Sequence, residues 1–217
     1  MKLHLVIGNK AYSSWSLRPW ILLRHFGIPF EETVIPMYRP TTHQEMLGYG
    51  PTGKVPVLVA DDVVVWETLA ICEFIADSFP DKPIWPGDRK ARALARALSS
   101  EMHAGFARLR QACPTQFIRP PRAIALPPEV RADVDRIEAA WAQARARFGA
   151  GGPFLFGDFC AADAMFAPVV NRFHTYEIAV GPETRAYMDA VMALPAWRDW
   201  IAGAEAEPWP KPDYASL

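Results

Sequence analysis

Residues 50–71 read Gly50-Pro51-Thr52-Gly53-Lys54-Val55-Pro56-Val57-Leu58-Val59-Ala60-Asp61-Asp62-Val63-Val64-Val65-Trp66-Glu67-Thr68-Leu69-Ala70-Ile71, and this stretch decides the fold. Val55-Pro56 opens a β-branched run, although proline donates no hydrogen bond to a strand ladder. The pair belongs at a sheet edge, or in a cis turn that holds the Val55 backbone outward. Asp61-Asp62 marks a turn, and Val63 to Trp66 reads as the returning strand. Glu67-Thr68 then starts an amphipathic segment in which Leu69, Ile71, Cys72 and Ile75 are apolar. A hydroxyl beside the free N–H groups of a helix start is an anion site. Unpaired strand backbone next to such a helix end suits an extended peptide with a free carboxylate.

Upstream, Leu3 to Ile7 reads as a strand, Ser13 to Phe26 turns into a helix that stops at Gly27, and Phe30 to Ile35 is a second strand. Proline suits only the first turn of a helix, so Pro19 places the cap near Ser16 and leaves Ser13 and Ser14 on the preceding loop. Thr42-His43-Gln44-Glu45 has the form of a capping box for a short helix. The resulting order, βαβαββα, is the thioredoxin-like layout. The proline-rich segment Phe79 to Gly87 is a linker. The expected boundaries are residues 1–80 for the first domain and 88–217 for a second, all-α domain, giving an α+β two-domain fold. Helical spacing runs through 88–111 and 129–148, separated by a proline-broken loop at 113–128. The segment 161–174 is apolar all round and so is a buried helix, kinked at Pro168. Two shorter helices, 184–193 and 196–204, are divided by Pro195.

The 217 residues carry a net charge of −1, which does not suggest a nucleic-acid or membrane-surface partner. The apolar run at the start, Leu3 to Ile7, is too short for a signal peptide, and no run reaches transmembrane length. Three scattered cysteines, Cys72, Cys113 and Cys160, make no CxxC and no metal spacing. A reduced, cytoplasmic setting and the absence of a metal are the expectations. The basic run Arg89-Lys90-Arg92-Arg96 reads as a solvated or interfacial helix face.

Gly53-Lys54-Val55-Pro56-Val57-Leu58 followed by Glu67-Thr68-Leu69-Ala70-Ile71 resembles the glutathione-binding half of the cytosolic glutathione S-transferase superfamily. In the second half, Phe156-Gly157-Asp158-Phe159-Cys160-Ala161-Ala162-Asp163-Ala164 looks like that family's buried helix-cap motif, so the resemblance covers nearly the whole chain. Cys160 stands where the family has serine or threonine. A thiol caps poorly, so only the Asp163 half of the capping box is expected.

The resemblance implies roles for particular residues. Val55, beside a cis proline, would pair with the cysteinyl backbone of glutathione. Glu67 and Thr68 would hold its γ-glutamyl end, threonine keeping the hydroxyl of the family's usual serine. Lys54 would contact the glycyl carboxylate, an end that His43 also reaches. Glutathione brings its own thiol, and the thiolate is the reactive form. A hydroxyl donor aimed at sulfur near a helix N-terminus stabilises that thiolate. Ser13 matches the register of the serine-type classes, zeta and tau among them, in which a loop serine precedes an arginine, here Arg18, by five residues. Ser14 is the second choice and Tyr12 a rival.

A pocket for the second substrate is expected between the domains. Trp15, His103, Phe106, Arg172 and Tyr176 are its candidate walls, with Glu101 and Trp209 nearby in the same reading. The function implied is conjugation of the glutathione thiolate to small hydrophobic electrophiles by a cytoplasmic, homodimeric detoxification enzyme with glutathione as cosubstrate. The alternatives are a glutathione-dependent peroxidase or isomerase, and a non-catalytic glutathione-binding scaffold. Zeta-class isomerases carry a cysteine where this chain has Trp15, which argues against isomerase chemistry.

Overall fold

The computed structural model describes residues 1–209; the end of the expected second domain, residues 210–217, lies outside the described residues. Strands β1 (Leu3–Gly8), β2 (Glu31–Ile35), β3 (Val57–Ala60) and β4 (Val63–Trp66) form one sheet in the order β2-β1-β3-β4. β1 pairs in parallel with β2 and antiparallel with β3, and β3 and β4 form an antiparallel hairpin. Successive strand residues face opposite sides, and β1 shows it. Leu3, Leu5 and Ile7 join the main core, whereas Val6 packs with Ile35, Met46 and Val57 in a smaller cluster on the other face. Helix α2 (Thr42–Leu47) supplies Met46 to that cluster, while α1 (Ser14–His25) and α3 (Thr68–Ser78) pack together on the main-core side. This is the thioredoxin-like arrangement expected from the element order.

The rest of the described chain is helical: α4 (Arg89–Ala104), α5 (Ala107–Ala112), α6 (Pro128–Phe148), α7 (Ala161–Thr175), α8 (Pro182–Met192) and α9 (Pro195–Glu205). α7 packs against α1, α4 and α8 and is almost wholly buried, as its unbroken apolar composition requires. Trp141 of α6, 1% exposed, is ringed by Phe166, Phe173 and Tyr187. Arg18 of α1 ties the sheet half to α7 by donating Nε–H to the Met165 carbonyl at 2.9 Å.

Four local expectations need correction. Helix α1 begins at Ser14 with Ser13 as its N-cap residue, and Pro19 lies inside the helix, so Ser16 is not the cap. Proline is tolerated there because the carbonyl its N–H would have served, that of Trp15, accepts the Thr68 hydroxyl at 3.1 Å. The box at Thr42–Glu45 does not form. α2 is preceded by Thr41, Thr42 Oγ1 donates to the Pro36 carbonyl at 2.7 Å, and Glu45 pairs with Arg39 at 3.0 Å. The box at α7 is complete rather than half present. Asp163 accepts the Cys160 N–H at 2.9 Å and the Leu155 N–H at 3.1 Å, and the Cys160 sulfur accepts the reciprocal N–H. A thiol is a weak acceptor, yet burial at 3% exposure removes the competing water. Finally, the segment 88–111 is two helices. Phe106 adopts φ 57°, ψ 37° and sinks its ring to 8% exposure, which breaks the helix after Ala104.

Candidate functional site

Three turns converge beside the sheet: the β1–α1 loop, the loop before β3, and the start of α3. Gly8 ends β1, and its N–H donates to Ser16 Oγ at 3.0 Å. A side chain at position 8 would meet Met37 and Ser13, so glycine gives the serine its room. Ser13 is 5% exposed, and its hydroxyl donates to Ser16 Oγ at 2.7 Å. Ser14, the first helical residue, is half-buried and its hydroxyl has no partner among the described residues. Tyr12 donates its phenol proton to Asn9 Oδ1 at 2.7 Å. Burial pushes that phenol up to about 12, with Tyr38 and Glu207 adding to the effect, so it is no source of a tyrosinate at neutral pH.

Before β3, Gly53 has φ +61°, and a Cβ there would overlap the His43 ring, so two independent constraints select glycine. His43 Nδ1 lies 3.3 Å from the Gly53 carbonyl. The Val55–Pro56 bond is cis, as the sequence led us to expect. The backbone N–H and carbonyl of Val55 make no hydrogen bond among the described residues, and Lys54 is exposed without an ionic partner there. Glu67 is the N-cap residue of α3 at φ 68°. Its carboxylate points outward, 3.6 Å from His103 Nε2. Thr68 is 1% exposed.

Two cavities share this ground. One, of about 500 Å³, is lined by Tyr12, Ser13, Ser14 and Trp15, by Met37 to Arg39, and by His43, Gly53, Lys54 and Val55 among others. The second, of about 270 Å³, is lined by Trp15, Thr52, Lys54, Val55, Pro56, Glu67, Thr68, His103 and Arg110. Trp15, Lys54 and Val55 border both, so the two form one groove. Of the expected second-substrate walls, Trp15 and His103 line the groove with rings 5.2 Å apart. Phe106, Arg172 and Tyr176 are buried and line neither cavity. Arg172 donates to the carbonyls of Cys113 and Pro168, and Tyr176 to that of Pro114. Glu101 is paired with Arg136, and Trp209 is partly exposed.

The Trp15 ring carries two guanidinium groups, Arg18 Cζ at 4.1 Å and Arg110 Cζ at 5.0 Å from its centroid. Burial, with Arg172 and Arg110 nearby, holds Arg18 well below its ordinary value, and burial with Arg110 nearby lowers Arg172 to about 10. None of the three has a carboxylate partner among the described residues. Trp15 therefore forms a flat wall backed by positive charge. Sequence reasoning missed Arg110. Helical spacing gave no signal for it, because the break at Phe106 lies between His103 and Arg110.

The family model "Glutathione S-transferase, N-terminal domain" matches residues 12–78, and "Glutathione S-transferase, C-terminal domain" matches residues 127–203. The chain belongs to the cytosolic glutathione S-transferase superfamily. A probable maleylacetoacetate isomerase of Caenorhabditis elegans is 30% identical over 97 residues, 45% of this chain and 44% of that protein. Glutathione S-transferase 1 of Dianthus caryophyllus is 33% identical over 94 residues, 43% of this chain and 42% of that protein. The matched stretches thus span less than half the length of these two proteins. Among solved structures, a glutathione transferase homolog from Burkholderia gl BGR1 with bound glutathione has a TM-score of 0.73 at 23% identity. It aligns over 95% of this chain and 100% of its own, which carries the superfamily's two-domain fold across the molecule.

Among the described residues no group of His, Cys, Asp and Glu is arranged to hold a metal ion, and no helix is long and apolar enough to cross a membrane. All three cysteines are free and buried, and burial raises each thiol above its ordinary value. They are therefore poor nucleophiles.

Proposed function

We propose that this chain is a glutathione transferase that binds the tripeptide along the groove and uses Ser13 to stabilise its thiolate for attack on small hydrophobic electrophiles. The observation that carries this reading is the meeting of Ser13, the unpaired Val55 backbone and Glu67–Thr68 along one continuous groove. Val55 offers an N–H and a carbonyl to the cysteinyl unit, as one strand edge offers them to another. Glu67 faces the ammonium of the γ-glutamyl end, the N–H groups at the start of α3 face its carboxylate, and Lys54 faces the glycyl carboxylate. Domain boundaries at 80 and 88, a cytoplasmic setting, a detoxifying role and a homodimer belong to the same proposal. The exposed Val63, Val64 and Trp66 give edge strand β4 apolar surface that suits self-association.

Ser13 has a supporting partner for its task. A hydroxyl–hydroxyl bond can reverse by rotation of both protons. Ser16 accepts the Gly8 N–H, so it is able to donate to Ser13, which then turns its own proton to sulfur. The chain Gly8 N–H, Ser16, Ser13 and thiolate is polarised in one direction, and each bond strengthens the next. The thiol proton leaves to solvent, the sulfur lone pair forms a C–S bond, and the leaving group departs with the electron pair of the broken bond.

The test is a pH titration of thiolate absorbance in the glutathione complex. Ser13→Ala should raise the bound-thiol pKa and slow turnover by about 10²–10³, less if the soft sulfur acceptor is forgiving. Ser14→Ala should change little. A shift with Ser14→Ala alone would transfer the role to Ser14. No shift with either would leave a glutathione-binding scaffold as the better reading.

A further inference from the structure

Of Arg18, Arg110 and Arg172, which meet no carboxylate among the described residues, Arg110 alone lines the groove. Arg24, Arg39, Arg96, Arg131 and Arg136 each meet a carboxylate. Arg110 meets none among the described residues, although it lines the 270 Å³ cavity together with Glu67 and Thr68. Its Nη1 donates to the carbonyls of His103 at 3.4 Å and Gly105 at 3.3 Å, the freed acceptors at the end of α4. Its Nε and Nη2 make no hydrogen bond among the described residues. The guanidinium lies over Trp15, which restricts its rotation and holds the remaining donors at the cavity.

The cavity's other donors are fewer than the element order suggests. The Thr68 hydroxyl proton is already given to the Trp15 carbonyl. What remains at the start of α3 for an anion is backbone N–H. Glutathione, on the reading above, brings an ammonium and two carboxylates. The groove offers Glu67 for the first and Lys54 for one carboxylate, and Arg110 completes the set. From this matching we infer that Arg110 is a specificity residue that pairs with the α-carboxylate of the γ-glutamyl unit. The assignment rests on glutathione being the ligand.

The rival is a structural role, in which Arg110 only closes the end of α4 and supports Trp15. A ligand-and-protein cycle separates the two. Calorimetry would compare glutathione with γ-aminobutyryl-cysteinylglycine, which lacks the α-carboxylate, on the wild type and on Arg110→Met. Glutathione should bind Arg110→Met about 10- to 100-fold more weakly than wild type, the worth of a charge-assisted pair, while the analogue binds both proteins alike. Equal losses for both ligands, or no loss for either, would overturn the assignment and leave the glutathione reading standing. A wild type that binds neither ligand would overturn both. If Arg110→Met does not fold, Arg110→Lys completes the cycle, with a smaller but still carboxylate-specific loss, because it keeps the charge and gives up the planar fork.

Discussion

Thr68→Val should destabilise the protein, and the size of the loss should depend on residue 19. Thr68 is 1% exposed, and its hydroxyl gives the Trp15 carbonyl a hydrogen bond at 3.1 Å. In an uninterrupted helix that carbonyl would take the N–H of residue 19, which is proline and has none. Valine keeps the shape of threonine and deletes the donor. An acceptor left unsatisfied in the interior costs about 1–3 kcal/mol, and the added methyl returns part of this, so the net loss should be roughly 1–2 kcal/mol. Thr68→Ser, which keeps the hydroxyl and removes one methyl, should lose about 0.8 kcal/mol. Urea unfolding of each variant measures these differences. The decisive pair is made in a Pro19→Ala background, where alanine returns the helical N–H to Trp15. There Thr68→Val should cost less than about 0.5 kcal/mol, a coupling energy of the order found for residues sharing one hydrogen-bond network. Equal costs in both backgrounds would show that the Thr68 hydroxyl does not serve the carbonyl that Pro19 leaves open.

Burial raises the Asp163 carboxyl to about 6 against the hydrogen bonds it accepts from Leu155 and Cys160. A carboxyl whose folded value exceeds its unfolded one favours the folded state below both, and that contribution is lost as pH rises through the folded value. The stability advantage of wild type over Asp163→Asn should therefore shrink by about 2 kcal/mol between pH 4.5 and 7.5 in urea unfolding, and a gap independent of pH would refute this. Gly53→Ala should lower stability by about 1–2 kcal/mol through its left-handed backbone and displace His43, weakening glutathione binding as the Lys54–Val55 loop shifts. Unchanged melting temperature and affinity would show that the loop accommodates both constraints.

Most of the sheet half was legible because its signals are local. Alternation in Leu3 to Ile7, the Asp61–Asp62 turn and the Val55–Pro56 pair each act within a few residues. Helix starts were read less well, and for a common reason. The rule that confines proline to the first turn assumes that nothing else will satisfy the freed carbonyl. Here the satisfying group, Thr68, lies 53 residues away in sequence. The Thr42–Glu45 box failed likewise, since Glu45 found Arg39 and Thr42 found Pro36. Arg172 looked available in sequence and is interior in the fold. Arg110 was overlooked because the break at Phe106 cannot be read from helical periodicity on either side of it.

The backbone itself distinguishes this groove from the cavity of about 560 Å³ between α6 and α8, which is lined by Glu138, Trp141, Arg145 and Gly181 to Thr184. Among the described residues, the non-glycine positions with positive φ are Tyr38, Asp61, Glu67, Phe106 and Glu177. Asp61 is accounted for by the β3–β4 turn, and Glu177 by the end of α7, where the chain leaves the helix. The other three gather at the groove: Tyr38 lines one cavity, Glu67 the other, and Phe106 sits between the lining residues His103 and Arg110. Each such conformation costs about 1–3 kcal/mol and persists only where surrounding contacts hold it. At Glu67 the holding contacts are the buried Thr68 and its bond to Trp15; at Phe106 they are the buried ring and the Arg110 bonds to the carbonyls of His103 and Gly105. Both sets of contacts end on residues that also face the cavity. The Thr68 bond ends on the Trp15 main-chain carbonyl, which any residue at that position supplies, whereas the bonds at Phe106 come from the Arg110 side chain, so a substitution at Arg110 should loosen the turn into α5 while the Glu67 backbone stays in place.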